Sequence, residues 1–204
     1  MYHLLMYTSG DNGFCVKSLE LYMADLAGQG SRLWQLAGAM ITGQLKLVVF
    51  DLDFTVWDAG GVWCDCLSPP FHRTGDRVFD ANGDEVVIYS DIFKAFDFID
   101  ELGVPIAAAS RTNQPGWARD LLSLHGLADR FRWSEIYPSS KVAHFRELAS
   151  ASQASYSEML FFDDEMRNID EVGALGVHSI HVADGFRWEV FERGLARLAI
   201  ALPE

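Results

Sequence analysis

The sequence predicts an α/β fold, a mostly parallel sheet flanked by helices. Two observations carry this. From Leu45 onward, short apolar runs of strand length alternate with amphipathic stretches of helix length, five times over. The first run, LKLVVF (45–50), is nearly apolar throughout rather than at every second residue, the mark of a strand buried on both faces. A third observation interrupts the alternation. Residues 58–90 are rich in Gly, Pro, Asp and Cys and hold a hairpin-like pair, RVFD and EVVIY, about the turn residues Asn82-Gly83. A small β-hairpin is therefore inserted after the first strand.

The elements follow in order. Residues 1–44 carry the Gly-rich breaks SGDNG and AGQG and only a modest apolar pattern, LELYMADL. They read as an extension outside the main fold, helical around 18–26 and 31–39, with Met40 as a candidate start of the protein. The main domain spans 45–204. After the first strand and the 58–90 insertion, Asp91 reads as a helix N-cap, with Ile92, Phe93, Phe96 and Ile99 at helical spacing up to Gly103. VPIAAAS (104–110) is the second strand and residues 115–125 a helix ending near Gly126. FRWSEIY (131–137) is the third strand and KVAHFRELAS (141–150) a helix. EMLFFDD (158–164) is the fourth strand, followed by a helix over 165–175. VHSIHV (177–182) is the fifth strand, and residues 186–200 form the last helix.

Composition excludes several function classes. A chain of 204 residues, half of them hydrophobic, suits one domain with a sizeable core. A net charge of −13 argues against nucleic-acid binding, which needs a basic stripe. The same charge repels anionic substrates, so a phosphate-handling site must supply local positive charge or a metal. The three cysteines, Cys15, Cys64 and Cys66, form no disulfide framework, and Cys64-Asp65-Cys66 reads as a pair of plain loop cysteines. No window of about 18 to 20 uncharged apolar residues suggests a membrane span. Residues 1–20 lack a basic segment followed by an apolar one, so a cytoplasmic location is expected.

In parallel sheets ligands bind at the carboxyl ends of the strands. The first strand ends in Asp51-Leu52-Asp53, the second in Ser110-Arg111-Thr112, and the fourth in Asp163-Asp164-Glu165. Lys141 opens the helix after the third. Side by side, these strands bring carboxylates, a hydroxyl and an ammonium into one crevice. Clustered buried carboxylates need a cation, and oxygen ligands of this kind suit Mg²⁺. Asp51 is placed to attack phosphorus, and Asp53 to protonate the leaving oxygen and later activate water. Thr55 is expected to bond locally and hold the turn. Ser110 and the amides around it would grip phosphate oxygens, unless Ser110 serves as a helix N-cap. Lys141 would offset transition-state charge. Arg111 either binds substrate or pairs with a nearby acid. Trp57, Trp63 and Phe71 either line a substrate-facing wall or pack in the core. His178 and His181 read as structural, pointing to opposite faces of the fifth strand.

DLDFTV, the Ser of ASR, Lys141 and FFDDE resemble, in order, the four motifs of the haloacid dehalogenase superfamily. VVFDLDFTVW, SPPF, VPIAAASRT, EIYPSSKVAHF and FFDDEMRNI further resemble its magnesium-dependent phosphatase family, over roughly residues 45–200. The resemblance implies a Rossmann-like sheet and a metal-dependent phosphomonoesterase. Asp51 would become a phosphoaspartate. Asp53 would be general acid and base, and a metal ligand through its backbone carbonyl. Asp164 would bind Mg²⁺ directly, with Asp163 behind it near Lys141. Ser110, Arg111 and Lys141 would contact the substrate phosphate or its surroundings. The family acts on small phosphomonoesters such as sugar phosphates or on phosphotyrosine, with neither nucleic acid nor membrane as partner. The 58–90 insertion would be a small cap, although its GGVWCDC run departs from the family pattern. A receiver-like phosphoaccepting signalling domain is the alternative. Receivers also use Mg²⁺, a phosphoaccepting Asp, a hydroxyl and a Lys. Their acid pair, however, follows the first strand, where this chain has D-x-D.

Overall fold

The computed structural model describes residues 45–200. The extension read over residues 1–44, its two helices and Cys15 lie outside the described residues.

The main sheet holds β1 (Leu47–Phe50), β6 (Ile106–Ser110), β7 (Phe131–Ile136), β8 (Met159–Asp163) and β9 (His178–His181). Their order is β7-β6-β1-β8-β9, all parallel. β1 is central, paired with β6 on one side and β8 on the other. Its uninterrupted apolar run follows from that position. Val48 and Phe50 face one core, Leu47 and Val49 the other. The first core is covered by α1 (Asp91–Glu101), α2 (Pro115–Leu124) and α5 (Trp188–Ile200). The second is covered by α3 (Lys141–Ser152) and α4 (Met166–Gly173). The predicted doubly covered parallel sheet is therefore the fold.

Between β1 and α1 lies a second, antiparallel sheet in the order β2-β5-β4-β3. It comprises β2 (Trp57–Asp58), β3 (His72–Thr74), β4 (Arg77–Phe79) and β5 (Glu85–Ile88). The hairpin read about Asn82-Gly83 is β4–β5, with Val78 opposite Val86. A second turn, at Gly75-Asp76, adds β3, which the sequence reading missed. The fully buried Asp80 knots the β4–β5 loop by accepting from the N–H groups of Ser68, Asn82 and Asp84.

Helix ends shift by one or two residues from expectation, and one expected cap serves another helix. Asp91 does not cap its own helix. It is the first residue of α1, and its Oδ2 accepts from the Trp188 N–H at 2.9 Å, capping α5 instead. The stop at Gly103 stands, because the chain leaves α1 there through φ +70°, which glycine adopts without penalty. Gly185, at φ +77°, has a second reason: a Cβ would sit 2.2 Å from the Tyr89 ring. No described helix is long and apolar enough to cross a membrane.

The first core is aromatic. Phe162 stacks on Phe50 at 5.1 Å, and Phe191 of α5 meets Trp188, Phe98 and Phe162 at 5.2, 5.6 and 6.0 Å. Phe191 is fully buried and far along the chain from the strand-end acids. Phe191→Ala should therefore lower the unfolding free energy by about 3–5 kcal/mol, read from urea titration, with activity below the transition retained.

Candidate active site

The strand register assembles the site. Phe50 lies opposite Ala108 in β6 and Phe162 in β8, so the next residue, Asp51, is level with Ala109 and Asp163. The Asp51 N–H continues the ladder to the Phe162 carbonyl at 2.9 Å. The chain then turns tightly. The Leu52 carbonyl accepts from the N–H groups of Thr55, Val56 and Trp57, and Phe54 is left-handed at φ +56°, a strained conformation for an aromatic residue.

That turn folds Trp57 back over Asp53. The Trp57 Nε1–H donates to Asp53 Oδ1 at 2.8 Å, and the Cys64 N–H donates to the same oxygen at 2.9 Å. Trp57 is fully buried and holds the acid rather than facing substrate. The Thr55 backbone N–H bonds locally and holds the turn, while its buried hydroxyl has no partner among the described residues.

Lys141 enters from the first turn of α3, which the Ser140 hydroxyl caps by accepting from the Ala143 N–H at 3.2 Å. The ammonium is fully buried. It donates to Asp51 Oδ1 at 2.6 Å, pairs with Asp163 Oδ2 at 2.9 Å and reaches the Ala109 carbonyl. All three of its protons are therefore used. Burial opposes its charge, but Asp51 and Asp163 outweigh that and hold its pKa above the ordinary lysine value. Burial pushes the Asp51 carboxyl well above the usual range; Lys141 opposes this, while Asp163 and Asp53 add to it. Asp53 is also raised by burial, against the Trp57 and Cys64 donors.

The two acids ending β8 differ in kind. Asp163 is fully buried and saturated: besides Lys141, it accepts from the Glu165 N–H at 2.8 Å and from the Asn168 amide at 2.9 and 3.1 Å. Asp164 borders the open cavity, and its carboxyl is pushed up to about 7 by burial, with Asp163 and Glu165 adding to it. One oxygen each from Asp51, Asp163 and Asp164 lie within 4.8 Å of one another. Three hard oxygen donors fit Mg²⁺, and the one carboxylate not already saturated beside Asp51 is Asp164.

The site opens into a cavity of about 410 Å³. Asp51, Asp53, Ser110, Arg111, Lys141 and Asp164 all line it. Ser110 ends β6, and its hydroxyl accepts from the Thr112 N–H at 3.4 Å; it caps no helix. Arg111 both faces the cavity and lies 3.7 Å from one acid, Glu165, while donating to the Asn168 amide oxygen at 3.2 Å. Of the three aromatics, only Trp63 borders the cavity; Phe71 packs on Trp117. Cys64 is buried and Cys66 exposed, both as free thiols. His178 and His181 donate through Nε2–H to the backbone carbonyls of Ser157 and Asp164 and hold loops. Trp57, Asn168 and Asp65 were missed as site-builders. For Trp57, a donor four residues beyond Asp53 was the available signal.

A central strand ending in D-x-D, a hydroxyl ending its neighbour, a buried lysine and a second acid pair define a phosphatase site of the haloacid dehalogenase type. Residues 44–200 match the family model described as Acid Phosphatase. The human protein named Magnesium-dependent phosphatase 1 is 42% identical over 158 residues, covering 76% of this chain and 88% of that one. A HAD-like hydrolase superfamily protein of Schizosaccharomyces pombe is 37% identical over 145 residues, covering 65% of this chain and 82% of the other. Among solved structures, a haloacid dehalogenase-like hydrolase from Xanthomonas campestris superposes with a TM-score of 0.55 at 13% identity, covering 78% of this chain and 99% of that one, which shows the shared fold. The chain belongs to the acid phosphatase family, as a magnesium-dependent phosphatase of the haloacid dehalogenase superfamily.

Lys141 is the cation shared by two buried carboxylates. Replacing it by methionine leaves both uncompensated and should lower stability by about 3–5 kcal/mol in chemical denaturation with EDTA present.

Proposed function

We propose that this phosphatase hydrolyses small phosphomonoesters, of the sugar-phosphate or phosphotyrosine type, through a phosphoaspartate on Asp51. The observation that carries this reading is the Asp51–Lys141–Asp163 cluster beside the doubly held Asp53, all at one strand edge. A cavity of about 410 Å³ suits a small ester.

Asp51 and Asp164 carboxylates and the Asp53 carbonyl would hold Mg²⁺. When bound, the ion screens the charge between carboxylate and phosphate and polarises a phosphoryl oxygen. The chain's own groups do the rest. An Asp51 oxygen attacks phosphorus as the ester P–O bond breaks, and Asp53 gives its proton to the departing oxygen. Asp53, now a carboxylate, takes a proton from water. That water attacks phosphorus, the P–O bond to Asp51 breaks, and inorganic phosphate leaves. Both the Trp57 and Cys64 bonds fall on Asp53 Oδ1, so the proton travels on Oδ2. Lys141 keeps Asp51 oriented, and the Ser110 hydroxyl and Arg111 guanidinium bind phosphoryl oxygens.

Asp51→Asn should lose activity by at least about 10³-fold and should not retain labelled phosphate after a rapid acid quench. Asp164→Asn should raise the Mg²⁺ concentration needed for half-maximal rate by at least about 10-fold, with Asp51 still phosphorylated at saturating metal. Comparing kcat/KM over sugar phosphates, aryl phosphates and phosphotyrosine peptides separates the two substrate types. A phosphorylated Asp51 that persists for hours would favour the receiver-like reading instead.

A further inference from the structure

The proposed chemistry leaves one cap residue without a task, although it is the best-connected acid of the cavity rim. Asp65 sits in the middle of the 3-10 turn Cys64–Cys66 and is only partly exposed. Its carboxylate crosses from the cap to the loop after β6. Oδ1 accepts from the Thr112 hydroxyl, and Oδ2 accepts from the Asn113 N–H and side-chain amide, both at 3.1 Å. Thr112 itself follows Ser110 and donates its N–H to the Ser110 hydroxyl.

The turn carries the donor that matters. The N–H of Cys64, one residue before Asp65, donates to Asp53 Oδ1. On its N-terminal side the segment is held by the Gly61 N–H bond to Asp58 Oδ1 at 2.7 Å. Residues 60–63 are exposed, and Gly60 and Gly61 run through φ +75° and +80° with open space around them. The turn's own bonds, Cys66 N–H to Trp63 and Leu67 N–H to Cys64, are internal to the cap. Cys64 is buried in the first core with its thiol 3.2 Å from the Thr112 hydroxyl, and Trp63 meets the Phe54 ring at 6.4 Å; the charged tie of this turn to the α/β domain is Asp65.

We propose that Asp65 is a positioning residue for the general acid: it pins the cap turn to the Thr112-Asn113 loop, and the pinned Cys64 amide fixes the Asp53 carboxylate against the leaving oxygen. The proposal rests on the reading of Asp53 as general acid. It places cap and acid in one unit, so that the proton donor is correctly aimed only when the cap turn is docked.

Leaving-group chemistry tests this. A dinitrophenolate departs without a proton, whereas an alkoxide needs one, so a misaimed acid penalises alkyl esters selectively. The ratio kcat/KM reports steps up to the first P–O cleavage and so excludes phosphoaspartate hydrolysis. Wild type, Asp65→Ala, Asp65→Asn, Thr112→Val and Asp53→Asn are compared at saturating Mg²⁺ on 2,4-dinitrophenyl phosphate and glycerol phosphate. Asp65→Ala should lose about 10- to 100-fold on the alkyl ester and less than about 3-fold on the aryl ester. Asp65→Asn and Thr112→Val should show smaller losses of the same selectivity; Asn, being isosteric, carries the test should the Ala variant unfold. Equal losses on both esters, or none, in the Asp65 variants would overturn the positioning role. If Asp53→Asn discriminates between the esters and the Asp65 variants do not, this proposal alone fails. If Asp53→Asn loses both alike, the general-acid reading fails and the proposal falls with it.

Discussion

The Lys141 ammonium, wedged between Asp51 and Asp163, is the interaction on which the rest depends. Two carboxylates at neighbouring strand ends repel each other in a medium of low dielectric, and burial adds to the penalty on each. A single cation with three protons answers both and also satisfies the Ala109 carbonyl. The geometry requires a helix that starts at the right height above the sheet. Ser140 supplies that start by capping α3. The site is thus a consequence of the β1–β8 register and one helix N-terminus, rather than of loop residues chosen independently.

Much of this was legible because parallel strands align their ends. Once β1, β6 and β8 were read as neighbouring parallel strands, Asp51, Ser110 and Asp163-Asp164 had to share an edge, and the structure brings them to one cavity or its wall. What the sequence did not disclose are donors whose role depends on a bend or on a long span. Trp57 reads as either a substrate-facing wall or core and packs in the core, yet the left-handed Phe54 turns its indole onto Asp53. Asp65 reads as an ordinary loop acid, because its partner Thr112 lies 47 residues on. Asp91 reads as a cap and is one, but for a helix that starts at Trp188, 97 residues away. Thr55 bonds locally in the turn, as read, through its backbone N–H, while its hydroxyl finds no partner among the described residues.

The division of labour within the β8 acid pair follows from saturation, not from order in the chain. Asp163 spends its two oxygens on Lys141, Asn168 and the Glu165 amide. Asn168 then reaches Arg111 with its own oxygen. One amide side chain therefore links the buried acid to the cavity's guanidinium. Asp164 is left facing the cavity, its carboxyl raised by burial and by Asp163 and Glu165.

An overall charge of −13 is an awkward setting for a substrate that is itself a dianion. The cavity does not reverse this on its own. Five carboxylates line it, Asp51, Asp53, Asp65, Asp164 and Glu165, against three cations, Arg111, Lys141 and Arg167. Lys141 is consumed by its acids, and Arg111 and Arg167 both lie against Glu165. The lining therefore holds more acidic groups than basic ones before any phosphate arrives. A divalent ion at the point where the carboxylates converge offsets that excess. Magnesium dependence is in this sense written into the charge balance of the lining as much as into the convergence of its carboxylates: those acids would otherwise turn an anionic substrate away.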